Sequence, residues 1–231
     1  MLSYFARKQM DLMQPEPNNF HCIFWHKLRG LISLCCFGYL LVAWPAIGQT
    51  NYSDTDAKNA QRLVKQHCAK CHGNDGLGNS EKYASLAGQP ADYLLKQLFN
   101  FKTGQRPSTK MQPIVKKLSA HNAYIISEYF ARLRPGFTPS NDEVSKAAGR
   151  KLYFEGNTET GVQNCASCHG VYATGGGSVA RLAGQNSVYL ETQMRRFAEH
   201  SRSNDRSMHL INANLTYSEI RSLAIYLASE E

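Results

Sequence analysis

Apolar positions in the C-terminal half recur with helical spacing. Tyr189, Met194 and Phe197 form one such set, and Ile220, Leu223, Ala224 and Leu227 another. No alternating strand pattern competes with them, so the spacing predicts an all-α fold. Helix starts are legible beside the stripes. Thr216 and Glu219 form a T-x-x-E capping box, Ser140 and Glu143 an S-x-x-E one, and Pro90 suits the first turn of a helix carrying Tyr93 and Gln97. A different pattern runs from Gly30 to Ala46, where GLISLCCFGYLLVAWPA follows Lys27 and Arg29 and precedes Ala46-Ile47-Gly48. That is the layout of a signal peptide. The stretch is short for a bilayer span, which favours cleavage after Gly48 over retention as an anchor. Cleavage would remove Cys22, Cys35 and Cys36.

The chain also repeats itself. Cys68-Ala-Lys-Cys71-His72-Gly73 returns 97 residues later as Cys165-Ala-Ser-Cys168-His169-Gly170. Leu86-Ala-Gly-Gln89 returns at an offset of 96 as Leu182-Ala-Gly-Gln185, and Tyr93, Gln97 and Phe101 return as Tyr189, Gln193 and Phe197. Met111, Leu118 and Tyr129 match Met208, Leu215 and Tyr226 at 97. Units of this size are domains, so the chain reads as a tandem pair. The expected boundaries are an N-terminal extension with its signal segment over 1–48, one domain over 49–135, a linker over 136–140 and a second domain over 141–231. The linker belongs to the proline- and glycine-bearing run from Arg134 to Pro139.

Composition agrees with a folded pair. A chain of 231 residues with 42% hydrophobic and 19% charged residues is globular, and long enough for two cores. Its formal charge is +8, and loss of residues 1–48 takes away four cationic and two anionic side chains, leaving +6. No basic cluster with interleaved aromatics accompanies that charge, so nucleic acid is not an expected partner. The excess suits steering toward an acidic partner or a membrane surface.

The C-x-x-C-H spacing carries the chemistry. Two thiols one helical turn apart can add to the two vinyl groups of a haem, and the next side chain then meets the iron. Cys68, Cys71, Cys165 and Cys168 are therefore expected to attach two haem c groups covalently, with His72 and His169 as axial ligands. A zinc site would want its C-x-x-C pairs about 15 to 20 residues apart, whereas these are 97 apart. A thioredoxin-like site would want βαβ alternation, which is missing. For the sixth ligand, Met111 and Met208 each lie 39 residues after their motif histidine, in polar runs that read as loops and poor core surroundings. His/Met ligation raises a haem's potential and suits electron carriage. Met194 reads as a core residue, and His121 and His209 as surface histidines. Gly175-Gly-Gly177 reads as a flexible loop; a phosphate-binding loop would need a preceding strand.

These residues resemble the class I c-type cytochromes, and among them the di-haem cytochrome c4 family, over about residues 57 to 230. The resemblance rests on both CxxCHG motifs, both L-A-G-Q segments leading into Y-L-x-x-Q, the run Arg202-Ser-Asn-Asp205 before Met208, and the closing helices of each unit. It implies two tandem class I cytochrome c domains related by an approximate two-fold axis, with the haems near their interface. It further implies periplasmic electron carriage, often at the membrane, between redox proteins such as a quinol-oxidising complex, a dehydrogenase and a terminal oxidase. Members often carry a proline before L-A-G-Q, where this chain has Ala84-Ser85 and Ala180-Arg181, so another residue's carbonyl must orient each histidine. Gly149 fits a close crossing against Tyr226, while the first unit has Ala60 in the corresponding place and a looser crossing. An electron shuttle is the leading expectation. The alternatives are the electron-accepting cytochrome subunit of a dehydrogenase and a di-haem peroxidase, the latter disfavoured because paired methionines leave no open iron site.

Overall fold

A computed structural model describes residues 52–231. The signal segment, its cleavage site and Cys22, Cys35 and Cys36 lie outside the described residues. The described residues form one compact unit. Its helices come in two sets of five with the same order of long and short elements. The first set is α1 (Asp54–His67), α2 (Ala69–His72), α3 (Ala91–Thr103), α4 (Met111–Val115) and α5 (Ala120–Ala131). The second is α6 (Glu143–Glu155), α7 (Ala166–His169), α8 (Ser187–Ala198), α9 (Arg206–Asn212) and α10 (Tyr217–Ala228). Among the described residues there is no β-strand, only two isolated bridges. The fold is the all-α tandem pair that the spacing predicts.

Each set encloses its own core. Ala60, Leu63 and Val64 of α1 pack with Leu94 of α3 and with Ile125, Ile126 and Phe130 of α5. Leu152 and Tyr153 of α6 pack with Leu190 of α8 and with Leu223, Ala224, Tyr226 and Leu227 of α10. The first and last helices pack together in both halves, but α6 and α10 approach more closely than α1 and α5. Gly149 permits this: a Cβ there would overlap the Ser222 carbonyl oxygen and come within 2.8 Å of Tyr226 Cβ. Ala60 takes the corresponding place and is fully buried. Met194 packs against the second core as expected.

Helix ends follow local chemistry. Ser53 with Asp56 and Thr216 with Glu219 close reciprocal capping boxes on α1 and α10. Ser140 and Glu143 do not. Asp142 caps α6 by accepting from the Ser145 amide, and Ser140 Oγ instead accepts from the Asp142 amide. A carboxylate one residue before the helix displaced the hydroxyl read from the sequence. Pro90 stands at the N-cap of α3, just ahead of the helix.

The halves differ most between the first helix and the haem motif. α1 runs directly into Cys68, whereas Gly156 to Asn164 intervene between α6 and Cys165, folded back by the paired amides and carbonyls of Asn157 and Val162. Gly175-Gly-Gly177 is no loose loop, since Gly176 and Val179 exchange backbone hydrogen bonds at 3.1 and 2.9 Å. The run expected to link the halves is held as well, with the Thr138 amide donating to the Ala228 carbonyl at 2.8 Å.

Candidate haem sites

Each C-x-x-C-H segment folds as one helical turn. The His72 amide donates to Cys68 O and the His169 amide to Cys165 O, both at 3.0 Å, which brings the two cysteines and the histidine of each motif together. Each turn is tied to its first helix by a cysteine amide, Cys68 to Val64 O at 2.8 Å and Cys165 to Tyr153 O at 2.9 Å. The second turn has an additional tie, because the Tyr153 hydroxyl donates to Gly170 O at 2.5 Å. The first turn is held from the other side by Asn79, whose amide donates to Ala69 O and Lys70 O. Neither Tyr153 nor Asn79 was marked by any motif; the equivalent positions, Val64 and Gly176, carry no polar side chain.

The histidines are set in the form that an iron ligand requires. His72 Nδ1 lies 2.9 Å from Ala84 O, and His169 Nδ1 lies 2.9 Å from Ala180 O. A carbonyl only accepts, so Nδ1 carries the proton and Nε2 keeps its lone pair for a metal. Burial holds both imidazoles below the ordinary histidine range, with the backbone hydrogen bond opposing that shift. The carbonyls of Ala84 and Ala180 thus do the orienting. Burial also pushes the Cys68 thiol up to about 12 and the Cys165 thiol up to about 11.

Met111 and Met208 do not lie in loops. Met111 opens α4 and Met208 sits in α9, where the Asp205 carboxylate caps the helix and accepts from the Met208 amide at 3.2 Å. Ser108 Oγ accepts from the Met111 amide at 3.1 Å in the same manner. Both side chains are half-buried in equivalent places. His121 is a surface residue, facing Asp56 at 3.3 Å. His209 is not: its ring meets that of His200 edge to face at 4.3 Å, and its Nδ1 donates to Phe197 O at 2.7 Å.

Between the halves lies a polar network that the repeat implied but did not interpret. Arg106 and Arg202 stand in equivalent positions and are 7% and 6% exposed. Arg106 donates to Gln97, Tyr189 and Gln193 at 2.8 to 2.9 Å. Arg202 donates to Gln193 at 2.9 Å, to Tyr93 at 3.2 Å and to Gln97 at 3.3 Å. Each guanidinium also covers a ring, Phe101 for Arg106 and Phe197 for Arg202. All of these partners are neutral. Burial, together with the Arg106 charge, lowers the Arg202 pKa. An anion would offset these two buried like charges, and the haem propionates have the needed sign. The donor set therefore fits haem on three counts: paired thiols, a histidine with free Nε2, and buried cations.

Known proteins give the same answer. Residues 55–130 match the family model described as cytochrome C oxidase, cbb3-type, subunit III, and residues 146–230 match the one described as cytochrome c. The thiosulfate dehydrogenase electron acceptor of Thiomonas intermedia is 34% identical over 169 residues, covering 71% of this chain and 78% of that protein. Cytochrome c4 of Pseudomonas aeruginosa is 30% identical over 179 residues, covering 75% of this chain and 87% of that one. Among solved structures, reduced recombinant cytochrome c4 from Pseudomonas stutzeri matches with a TM-score of 0.70 at 28% identity, over 76% of this chain and 98% of that chain. A thiosulfate dehydrogenase from Marichromatium purpuratum matches with a TM-score of 0.68 at 30% identity, over 76% of this chain and 40% of that chain. Duplicated attachment turns on a fold shared along nearly the whole of a solved relative leave one assignment: the chain belongs to the di-haem cytochrome c4 family, electron-transfer proteins with two haem c groups.

Proposed function

We propose that the protein is a periplasmic electron shuttle in which His72 with Met111, and His169 with Met208, hold the two irons, while Cys68, Cys71, Cys165 and Cys168 carry the thioether links. The observation that carries this is the duplicated histidine geometry, Nδ1–H on a backbone carbonyl with Nε2 left free. When bound, each haem supplies a one-electron ferric/ferrous couple at raised potential. The chain's own residues do the rest. They fix the histidine tautomer, shield its ring from water, and hold two buried cations, Arg106 and Arg202, that would offset propionate charge. With both axial positions filled the protein has no iron site for a substrate, so it carries electrons without transforming a metabolite. Two domains of 49–135 and 141–231 joined by 136–140 would each contribute one haem.

The donor reading favours a dehydrogenase of reduced sulfur compounds, because two relatives are named thiosulfate dehydrogenase electron acceptors and a third, alike over 31% of this chain, is named the cytochrome subunit of a sulfide dehydrogenase. The acceptor is a terminal oxidase in this reading. Among the described residues no helix is long and apolar enough to cross a membrane. The test is spectroscopic and kinetic. Protein matured with two haems should show the weak red ferric band of methionine–iron bonding, with half its intensity lost in Met111→Ala or in Met208→Ala. Its reduction by thiosulfate should require an added thiosulfate dehydrogenase. A full-strength band in either variant removes that ligand, and no acceleration by the dehydrogenase removes that donor.

A further inference from the structure

Each L-A-G-Q glutamine reaches across to the other half. Gln185 Oε1 accepts from the Ser85 amide at 2.7 Å, and its Nε2 donates to Ser85 O at 2.8 Å. Gln89 Oε1 accepts from the Arg181 amide at 3.1 Å, and its Nε2 donates to Arg181 O at 2.7 Å. Both glutamines are buried, as is Ser85. The exchange is reciprocal, and its target is specific. The Ser85 N–H belongs to the same peptide unit as Ala84 C=O, the acceptor for His72; the Arg181 N–H belongs to the same unit as Ala180 C=O, the acceptor for His169.

We propose that Gln89 and Gln185 are crossed positioning residues, each setting the electron-donating strength of the haem histidine in the opposite domain through one shared peptide unit. This rests on the reading of His72 and His169 as axial ligands. The relay runs imidazole Nδ1–H to carbonyl, through the amide plane, to N–H and the glutamine oxygen. A peptide whose N–H is engaged has a more negative carbonyl, so bonds along such a chain strengthen one another. A stronger acceptor at Nδ1 makes the imidazole a more basic iron ligand, which favours ferric iron and lowers the potential. Loss of the glutamine amide therefore raises the potential of the haem across the interface. The relay is not equally supported on the two sides. Asn186 also crosses over, donating to Tyr83 O at 2.8 Å and Leu77 O at 3.3 Å, whereas Pro90 occupies the equivalent place and offers no amide. The domain 1 segment thus keeps a second hold when Gln185 is removed, and the domain 2 segment keeps none from the equivalent position when Gln89 is removed.

The experiment is redox titration of the full di-haem protein followed by haem methyl resonances assigned to each domain. In Gln185→Met the domain 1 haem should rise in potential and the domain 2 haem hold its value. In Gln89→Met the pattern should reverse, with the larger shift. A rise confined to the substituted domain, an equal shift in both haems, or no shift overturns the proposal. Where methionine costs a haem or the red ferric band, Gln185→Asn and Gln89→Asn keep a shorter amide and should give the same crossed direction at smaller size; an uncrossed result there overturns it equally. Failure of the axial reading is distinguishable, because wild-type iron would then lack histidine nitrogen hyperfine coupling, whereas failure of the relay would leave that coupling intact.

Discussion

Ala173 sits at φ 51, in the left-handed region that alanine rarely adopts, while its equivalent Gly76 sits at φ 74. Both carbonyls do the same work, accepting two amides from the L-A-G-Q segment of their own half. The difference is in the neighbour. A Cβ on Gly76 would come within 2.9 Å of the Phe130 ring, and the second half has Leu227 where the first has Phe130. Gly76→Ala should therefore destabilise by about 1 to 3 kcal/mol through overpacking and the left-handed backbone. Adding Phe130→Leu should return part of that loss, a coupling that thermal melts of the single and double variants would measure. At this scale the haem motifs and the paired methionines were legible because ligand chemistry constrains residue type and spacing. Tyr153, Asn79 and the edge-to-face pair His200 and His209 were not, because a single side-chain contact leaves no period in the sequence.

Helices were readable where an apolar stripe was long enough to repeat. The short helices carrying Met111 and Met208 have too few turns for a stripe, so their polar sequences read as loops. Caps were readable only where hydroxyl and carboxylate stood three apart and nothing closer competed. Thr216→Ala should cost about 1 kcal/mol by releasing the start of α10. Acid should loosen the same ends. Capping hydrogen bonds hold the Asp56 and Asp142 carboxyls below the ordinary value of 3.8, and although burial opposes them at Glu219, they hold it below 4.5. A depressed carboxyl contributes stability that is complete above its unfolded pKa and disappears as pH falls through the folded one. The contribution of these three carboxyls to the melting temperature is therefore expected to be level from neutrality to about pH 5 and to fall below about 4.5, so that Glu219→Gln should flatten part of the acid limb of the melting curve.

Over the whole molecule, the repeat announced two domains and their order, but not what joins them. Tyr93, Gln97, Tyr189 and Gln193 showed as matched letters; the structure assigns them to two buried arginines that bond across the interface. Because each guanidinium serves both halves, Arg202→Met should lower both haem potentials by removing positive charge, unlike the single-haem response to a glutamine substitution. Potentiometry of that variant checks it. Exposed Lys70 lies within the first attachment turn, and Lys70→Glu is expected to slow reduction or oxidation by an acidic partner and to weaken the salt dependence of the rate.

The reciprocal contacts of Gln89 and Gln185 have a further consequence in terms of symmetry. Residue i of one half touches residue j of the other, and the equivalent of j touches the equivalent of i. That is the defining property of an isologous contact, the kind by which two identical subunits pair. The tandem chain has the form of a homodimer whose subunits have been fused. The departures from that symmetry, Asn186 at the position equivalent to Pro90, Tyr153 at that of Val64 and Ala173 at that of Gly76, are where one haem's surroundings can change without the other's.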